Sequence, residues 1–220
     1  MKLVLASGSQ RRRELLTMCG YDYEIIVSNA DETIDENDPE SFVRALSFRK
    51  AKEVFDRIFA AGRRDFAVIG SDTVVAFQKE GETKPVIIGK PKDAEDAVRI
   101  LSMLSGKTHR VFTGVSVIAD IPDENAAAQC SIREKEEIQT ECSITEVTFE
   151  TLSPDEIADY VNSGDPLDKA GSYGIQGPFG MFVREIRGNY FTVIGMPIPV
   201  LYKMLKKIGI LPHGFYERIE

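Results

Sequence analysis

The sequence predicts an α/β fold built on a mixed sheet, and three observations carry that expectation. Short apolar runs of strand length alternate with longer segments whose apolar residues recur at helical spacing. Helix starts are marked by Asp38-Pro39-Glu40 and by Ser153-Pro154-Asp155-Glu156, where cap and proline stand in their preferred places. A polar interruption at 78–85 between two apolar runs reads as a hairpin, so antiparallel pairing joins the crossover-linked strands.

In order along the chain, 2–6 reads as a short buried strand and 9–19 as a helix. Ser9 is its N-cap, Leu15, Leu16 and Cys19 face inward, and Gly20 is the stop. A second strand at 23–27 leads into an acidic loop at 31–36. The long helix opened by Asp38 carries the stripe Val43, Leu46, Val54 and Ile58. Residues 66–69 form a strand ending in Gly70-Ser71-Asp72-Thr73, followed by 74–77 and the hairpin return through 86–88. Asp93 caps a helix from 94 to 104, and 110–118 is a long strand.

The segment 120–137 is Ala-rich and charged without a period, and reads as a mobile excursion. Residues 138–149 alternate as the antiparallel partner of the preceding strand. A helix follows Ser153, then a Gly-rich loop at 162–180. A closing hairpin pairs 181–186 with 190–194 around Arg187-Gly188-Asn189, and 199–207 is the last helix. No repeat breaks the chain, and 1–220 reads as one domain.

The composition of the 220 residues is that of a globular protein, 43% apolar and 28% charged, with a formal net charge of −8. No run approaches the ~18 apolar residues of a membrane span. The acidic balance argues against nucleic-acid binding by bulk electrostatics. Cys19, Cys130 and Cys142 are odd in number and lack C-x-x-C spacing, which argues against a disulfide framework or a zinc site and points to a reduced, cytoplasmic setting.

The chemistry gathers in a few clusters. Ser7-Gly8-Ser9 followed by Arg11, Arg12 and Arg13 puts free backbone N–H groups and guanidinium forks where a strand turns into a helix, a ready anion site. Cations in a first turn oppose the helix dipole, and a bound anion offsets that cost. Of the three arginines only Arg11 and Arg12 are expected in the site. No Walker P-loop is present. Lys50 falls on an apolar stripe, either snorkelling to solvent or reaching beneath an anion pocket.

Asp72, among small neighbours, is expected at or near a strand end. It either holds a cation or activates water, or is a turn aspartate bonded to its own backbone. Lys90-Pro91-Lys92-Asp93 repeats the theme, with Asp93 only a cap. In Asp168-Lys169-Ala170-Gly171-Ser172-Tyr173-Gly174-Ile175-Gln176-Gly177 the glycines permit close approach to a ligand and Gln176 offers both donor and acceptor. His109 and His213 lack partners in sequence, and no G-x-S-x-G elbow supplies a nucleophile.

Taken in order, Ser7-Gly8-Ser9-Gln10-Arg11-Arg12, Lys50-Ala51-Lys52, Gly70-Ser71-Asp72-Thr73-Val74, Lys90-Pro91-Lys92-Asp93, Thr113-Gly114-Val115 and the Asp168 to Gly177 run resemble the Maf family of nucleoside triphosphate pyrophosphatases. The resemblance implies an inosine-triphosphatase-like α/β fold of two lobes around a cleft. It implies cleavage of the α–β phosphate bond, and its loop resembles the branch acting on dTTP and UTP. Independently of the resemblance, the charge of a triphosphate leads to the expectation that Ser7, Arg11, Arg12, Lys50 and Lys90 hold phosphates; by the resemblance, Asp72 is the proton acceptor. Arg11, Thr73 and Gln176 set base preference. On the chemistry of carboxylates beside phosphates, Glu32 and Asp72 are expected to hold a divalent cation, Mg²⁺ first and Mn²⁺ or Co²⁺ as alternatives. A homodimer is implied by the resemblance as well. Gln10 stands where the family has proline, and the segments at 78–85 and 120–137 are longer than in the family. The competing reading is a nucleotide-binding regulator of septum formation without turnover.

Overall fold

The computed structural model describes residues 1–78, 81–121 and 135–214. A strand β1 (Lys2–Leu5) is followed by helix α1 (Gln10–Met18), strand β2 (Glu24–Ile25) and the long helix α2 (Pro39–Ala60). Then come β3 (Phe66–Phe77), β4 (Val86–Ile88), α3 (Ala94–Leu104), β5 (Thr108–Ile121) and β6 (Lys135–Phe149). The chain closes with α4 (Pro154–Asn162), β7 (Val183–Arg187), α5 (Tyr190–Ile194) and α6 (Ile198–Lys207). The strands of the described residues form one mixed sheet in the order β2-β1-β3-β5-β6-β7, with β4 added beside β3.

Strand β3 organises that sheet. Its first part runs parallel to β1, from Lys2 against Phe66 to Leu5 against Ile69. Its last part runs antiparallel to β4, from Val75 against Ile88 to Phe77 against Val86. On its other edge β5 pairs antiparallel from Ala67 to Ala76. Among the described residues, no strand pairs with 70–74 on the β1/β4 edge, and a notch opens there.

Helix α2 covers one face of the sheet at close range. Its cap is as expected, the Asp38 side chain accepting from the Ser41 N–H. Val43, Leu46, Val54 and Ile58 are buried. Between them Ser47 lies against two glycines on adjacent strands. A Cβ at Gly70 would collide with the Ser47 carbonyl oxygen and lie 2.7 Å from the Ala51 nitrogen, and one at Gly114 would collide with the Val43 carbonyl. The Ser47 hydroxyl, buried at this contact, bonds Ser116 at 3.0 Å. The opposite face is covered by α1, α5 and α6 at one end, over a core of Leu5, Leu16, Ile69, Met196 and Leu201. At the other end α3 and α4 close on Leu101, Phe149, Tyr173 and Phe179.

Several expectations need correction. Asp72 is not near a strand end but in the middle of a continuous twelve-residue strand. Gly70, which reads as a turn residue, is there because α2 presses on that face of the strand. The second strand is two residues long rather than 23–27. The segment 190–194 is a helix and not the return of a hairpin. Asn189 caps it, accepting from the Phe191 N–H at 2.8 Å, and Gly195 ends it at φ +111°, so local capping overrides the β-branched composition. The 162–180 loop contains three 3-10 turns, Asp165–Asp168, Ala170–Ser172 and Pro178–Phe182. Of the expected excursion at 120–137, both flanks are paired strand through Ile121 and from Lys135, and 122–134, with Cys130, lies outside the described residues.

Two consequences can be measured. Gly70→Ala forces α2 off the sheet and is expected to cost about 3 kcal/mol in chemical denaturation. His109 is buried, its Nε2 3.0 Å from the Tyr173 hydroxyl and its ring edge-on to Phe149. Burial pushes its pKa down from 6.5 to about 3. The folded value is the depressed one, so this contribution is full above pH 6.5 and is lost as pH falls towards 3. Between pH 8 and pH 5 urea denaturation should show the native chain losing about 2 kcal/mol more than His109→Gln.

Candidate active site

The notch in the sheet is the floor of a cleft of about 770 Å³. Its walls include every site residue expected from the sequence: Ser7, Arg11, Arg12, Glu32, Lys50, Asp72, Thr73, Lys90 and Gln176. Strand alternation sorts these residues by face. Gly70, Asp72 and Val74 turn towards α2, while Ser71, Thr73 and Val75 turn towards α1, α5 and the 170–177 loop.

On the α2 face the Lys50 ammonium donates to Asp72 Oδ1 at 2.8 Å and lies 2.9 Å from Glu32 Oε1. Lys50 lies three residues after Ser47, so the glycine contact sets its reach. The Lys50 and Asp72 side chains are each 12% exposed, whereas Glu32 is open to solvent. Lys50 therefore does not snorkel out of the stripe. Of the two readings of Asp72, the self-bonded turn aspartate is excluded, because its partner comes from a helix 22 residues away.

On the other face Arg12 is held by three acceptors. Its Nε donates to the Gly195 carbonyl at 2.8 Å, its Nη1 to Ser7 Oγ at 3.2 Å and its Nη2 to Thr73 Oγ1 at 3.4 Å. Burial pulls its guanidinium below the ordinary pKa, with the Asp72 charge acting against that. Gly195, which no sequence motif marked, also accepts from Ser71 Oγ at 3.0 Å. Ser7 Oγ takes the Ser9 N–H at 3.2 Å. Ser9 caps α1 without a side-chain bond, and this leaves first-turn N–H groups for another acceptor.

Arg11 is held more loosely, its Nη1 3.4 Å from Asp168 Oδ2 at the surface. Burial works against Asp168, yet the bond from Lys169 and the charge of Arg11 keep its carboxyl below the ordinary range. Arg13 does not line the cleft; it is half-buried, with no partner for its Nε among the described residues. Lys90 is exposed at the rim, and Asp93 is a cap, accepting from the Asp96 N–H at 2.8 Å. The Gln176 segment is anchored from three sides. Tyr173 reaches His109, Gly174 N–H donates to the Tyr160 hydroxyl at 3.1 Å, and Gly171 N–H donates to the Gly89 carbonyl at 3.0 Å. Gly171, at φ +73°, leaves no room for a Cβ against Val75.

Burial raises the thiol pKa of Cys19 and pushes that of Cys142 up to about 12, so neither supplies a thiolate. Among the described residues no group of three His, Cys, Asp or Glu side chains could hold a metal by itself, and no helix is long and apolar enough to cross a membrane.

The family model described as Maf-like protein matches residues 2–208. A protein of Agathobacter rectalis named dTTP/UTP pyrophosphatase is 41% identical over 217 residues, covering 95% of this chain and 98% of that protein. One of the same name from Bacillus thuringiensis subsp. konkukian is 42% identical over 210 residues, covering 95% and 96%. A solved structure described as the Staphylococcus aureus Ham1 protein aligns with 94% of this chain and all of that one, at 15% identity and a TM-score of 0.45.

The three-way hold on Arg12 needs a planar fork, which an ammonium cannot supply. Arg12→Lys should lower stability by about 2 kcal/mol in thermal or urea unfolding.

Proposed function

The chain belongs to the Maf-like protein family, and from that premise we propose that it hydrolyses dTTP and UTP between the α and β phosphates, releasing a nucleoside monophosphate and pyrophosphate. The observation that carries this reading is the notch itself. It sets a carboxylate, Asp72, paired with Lys50, across one cleft from Ser7, Arg11 and Arg12. A site that only bound anions would gain nothing from a carboxylate there. The names of the relatives, at about two-fifths identity across nearly the whole chain, support the substrate.

In this mechanism Arg11 and Lys90, the two loosely held cations, grip the phosphate chain, and Arg12 and the first-turn amides of α1 receive phosphate oxygens at a fixed position. Each well-aimed donor contributes on the order of 3 kcal/mol to the transition state. Asp72 takes a proton from water, the water oxygen bonds to the α phosphorus, and the bond to the bridging oxygen breaks with its electron pair leaving on pyrophosphate. Lys50 orients the Asp72 carboxylate through the 2.8 Å bond. Gln176 and Thr73 lie on the nucleoside side of the cleft and read the base.

Asp72 and Glu32, whose Oδ1 and Oε1 the Lys50 ammonium bridges at 2.8 and 2.9 Å, would hold a divalent cation such as Mg²⁺ through their other carboxylate oxygens. Two hard carboxylates near the phosphates suffice for an ion that completes its shell with phosphate oxygens and water. When bound, such an ion would neutralise charge on the phosphate oxygens. The family resemblance also brings homodimeric assembly into the proposal. The cysteine pattern supports a cytoplasmic setting, and the net charge of −8 weighs against nucleic acid as a partner.

The test is phosphate release from a panel of nucleoside triphosphates with Mg²⁺, with and without added inorganic pyrophosphatase. Signal only with the coupling enzyme, chiefly from dTTP and UTP, is the expected result. Signal without it means terminal cleavage and overturns the mechanism, while binding without turnover moves the chain to the regulatory reading. Asp72→Asn should lower kcat about 10³-fold with an unchanged melting temperature, and near-native turnover would remove Asp72 as the base.

A further inference from the structure

We propose that Thr113 is a positioning residue that makes Thr73 an acceptor-only hydroxyl, so that the substrate group admitted against Thr73 is an N–H donor, the N3 imide of uracil or thymine. This rests on the reading above that the substrate is a uracil or thymine nucleotide.

The argument is a count of protons. A threonine hydroxyl has one proton to donate. Thr113 Oγ1 lies 2.7 Å from the Thr192 carbonyl oxygen, which can only accept, so the Thr113 proton is committed there. The hydroxyls of Thr73 and Thr113 are 3.0 Å apart. Since Thr113 has no second proton, Thr73 must be the donor in that pair. Thr73 then has none left. Its remaining protein contact agrees, because Arg12 Nη2, which can only donate, lies 3.4 Å from Thr73 Oγ1. The bonds therefore run in one direction, from Arg12 through Thr73 and Thr113 to the Thr192 carbonyl, each polarising the next.

The relay is well protected. Thr113 is fully buried in mid-strand, so water does not replace either partner. Thr192 sits in α5 and is itself fixed by its own hydroxyl, 2.7 Å from Ser143 Oγ. Thr73 is half-buried at the open end, lines the cleft, and shares its sheet face with Val75 and the Gly171 segment that leads to Gln176. A phosphate oxygen or a bare ring nitrogen placed there would set lone pair against lone pair. Uracil and thymine present N3–H, whereas cytosine presents a bare N3, so the direction of the relay separates them. Cutting it at Thr113 lets the Thr73 hydroxyl turn its proton to the substrate.

The experiment measures kcat/KM for UTP, CTP and N3-methyl-UTP with the full chain, as the native protein, Thr113→Val and Thr113→Ser, each checked by thermal melt. The native protein should prefer UTP to CTP and turn over N3-methyl-UTP at least about tenfold less efficiently than UTP. In Thr113→Val the UTP to CTP ratio should fall about tenfold, mostly through KM, and Thr113→Ser should restore it. A folded Thr113→Val with an unchanged ratio overturns the proposal, as does native turnover of N3-methyl-UTP equal to that of UTP. The second arm decides alone if Thr113→Val does not fold. Failure of the native chain to cleave either UTP or dTTP would instead sink the functional reading beneath it, which keeps the two failures apart.

Discussion

The site depends on one packing constraint, the contact of α2 with bare backbone on two neighbouring strands. Where Gly70 and Gly114 lie under Ser47 and Val43, the helix rests on main chain instead of on side chains. A helix seated on β-branched residues would stand further from the sheet, and a lysine one turn along it would meet the strand edge at a different height. The close seat brings Lys50 Nζ to 2.8 Å from Asp72, two residues beyond Gly70 on the same face. It also buries the Ser47 hydroxyl, which finds partners in Ser116 and the Arg44 carbonyl and so leaves no polar group stranded at the contact. A substitution at either glycine therefore acts on chemistry through distance.

The second constraint is topological. Because β3 outruns β1 at one end and gains β4 only near the other, its middle is paired on one edge alone. Residues in that gap stay inside a rigid strand, held by β5, yet open onto a cleft. Alternation then gives the two sides of the cleft different chemistry without any further device. Even-numbered Asp72 meets the lysine, itself paired with Glu32, on one face, and odd-numbered Thr73 meets the arginine and the hydroxyl relay on the other. Loops build much of the wall, but the two groups nearest the proposed reaction and the proposed base contact stand on a strand with little freedom to move.

Much of this was legible in the sequence, and the parts that were not share a cause. Caps and apolar stripes placed α2, α3 and α4 because those signals are local, and the Asp38, Asp93 and Ser153 caps make the bonds their residue types suggest. Asp72 was placed near a strand end because Gly70-Ser71-Asp72-Thr73 carries turn residues. Gly70 is bare to admit a helix, and that reason lies in Ser47 and Ala51 of α2, distant in sequence. The composition of 190–194 points to a strand because Tyr, Phe, Thr, Val and Ile favour strands, whereas the helix rests on one local cap bond at Asn189 and on tertiary hydroxyl contacts to Thr145 and Ser143. Gly195 could have been suspected only as a helix stop. Its role as the carbonyl that holds Arg12 is invisible in any pattern of side chains.

That carbonyl also changes the account of the arginine cluster. Three cations in a first turn call for an anion on electrostatic grounds, but only part of that call falls to a ligand. Arg12 already has its N–H groups met by fixed dipoles, a backbone carbonyl at 2.8 Å and two hydroxyls, so it keeps its charge but has little further side-chain freedom to lose to a phosphate. Arg11 has one long contact to an exposed carboxylate, so a phosphate oxygen displaces a weak partner and gains a strong one. The two neighbours thus divide the work that a pair of identical side chains seemed to share. In the proposed mechanism Arg12, ordered in advance, would define where the phosphate lies, and Arg11 would supply the charge that takes a new partner on binding.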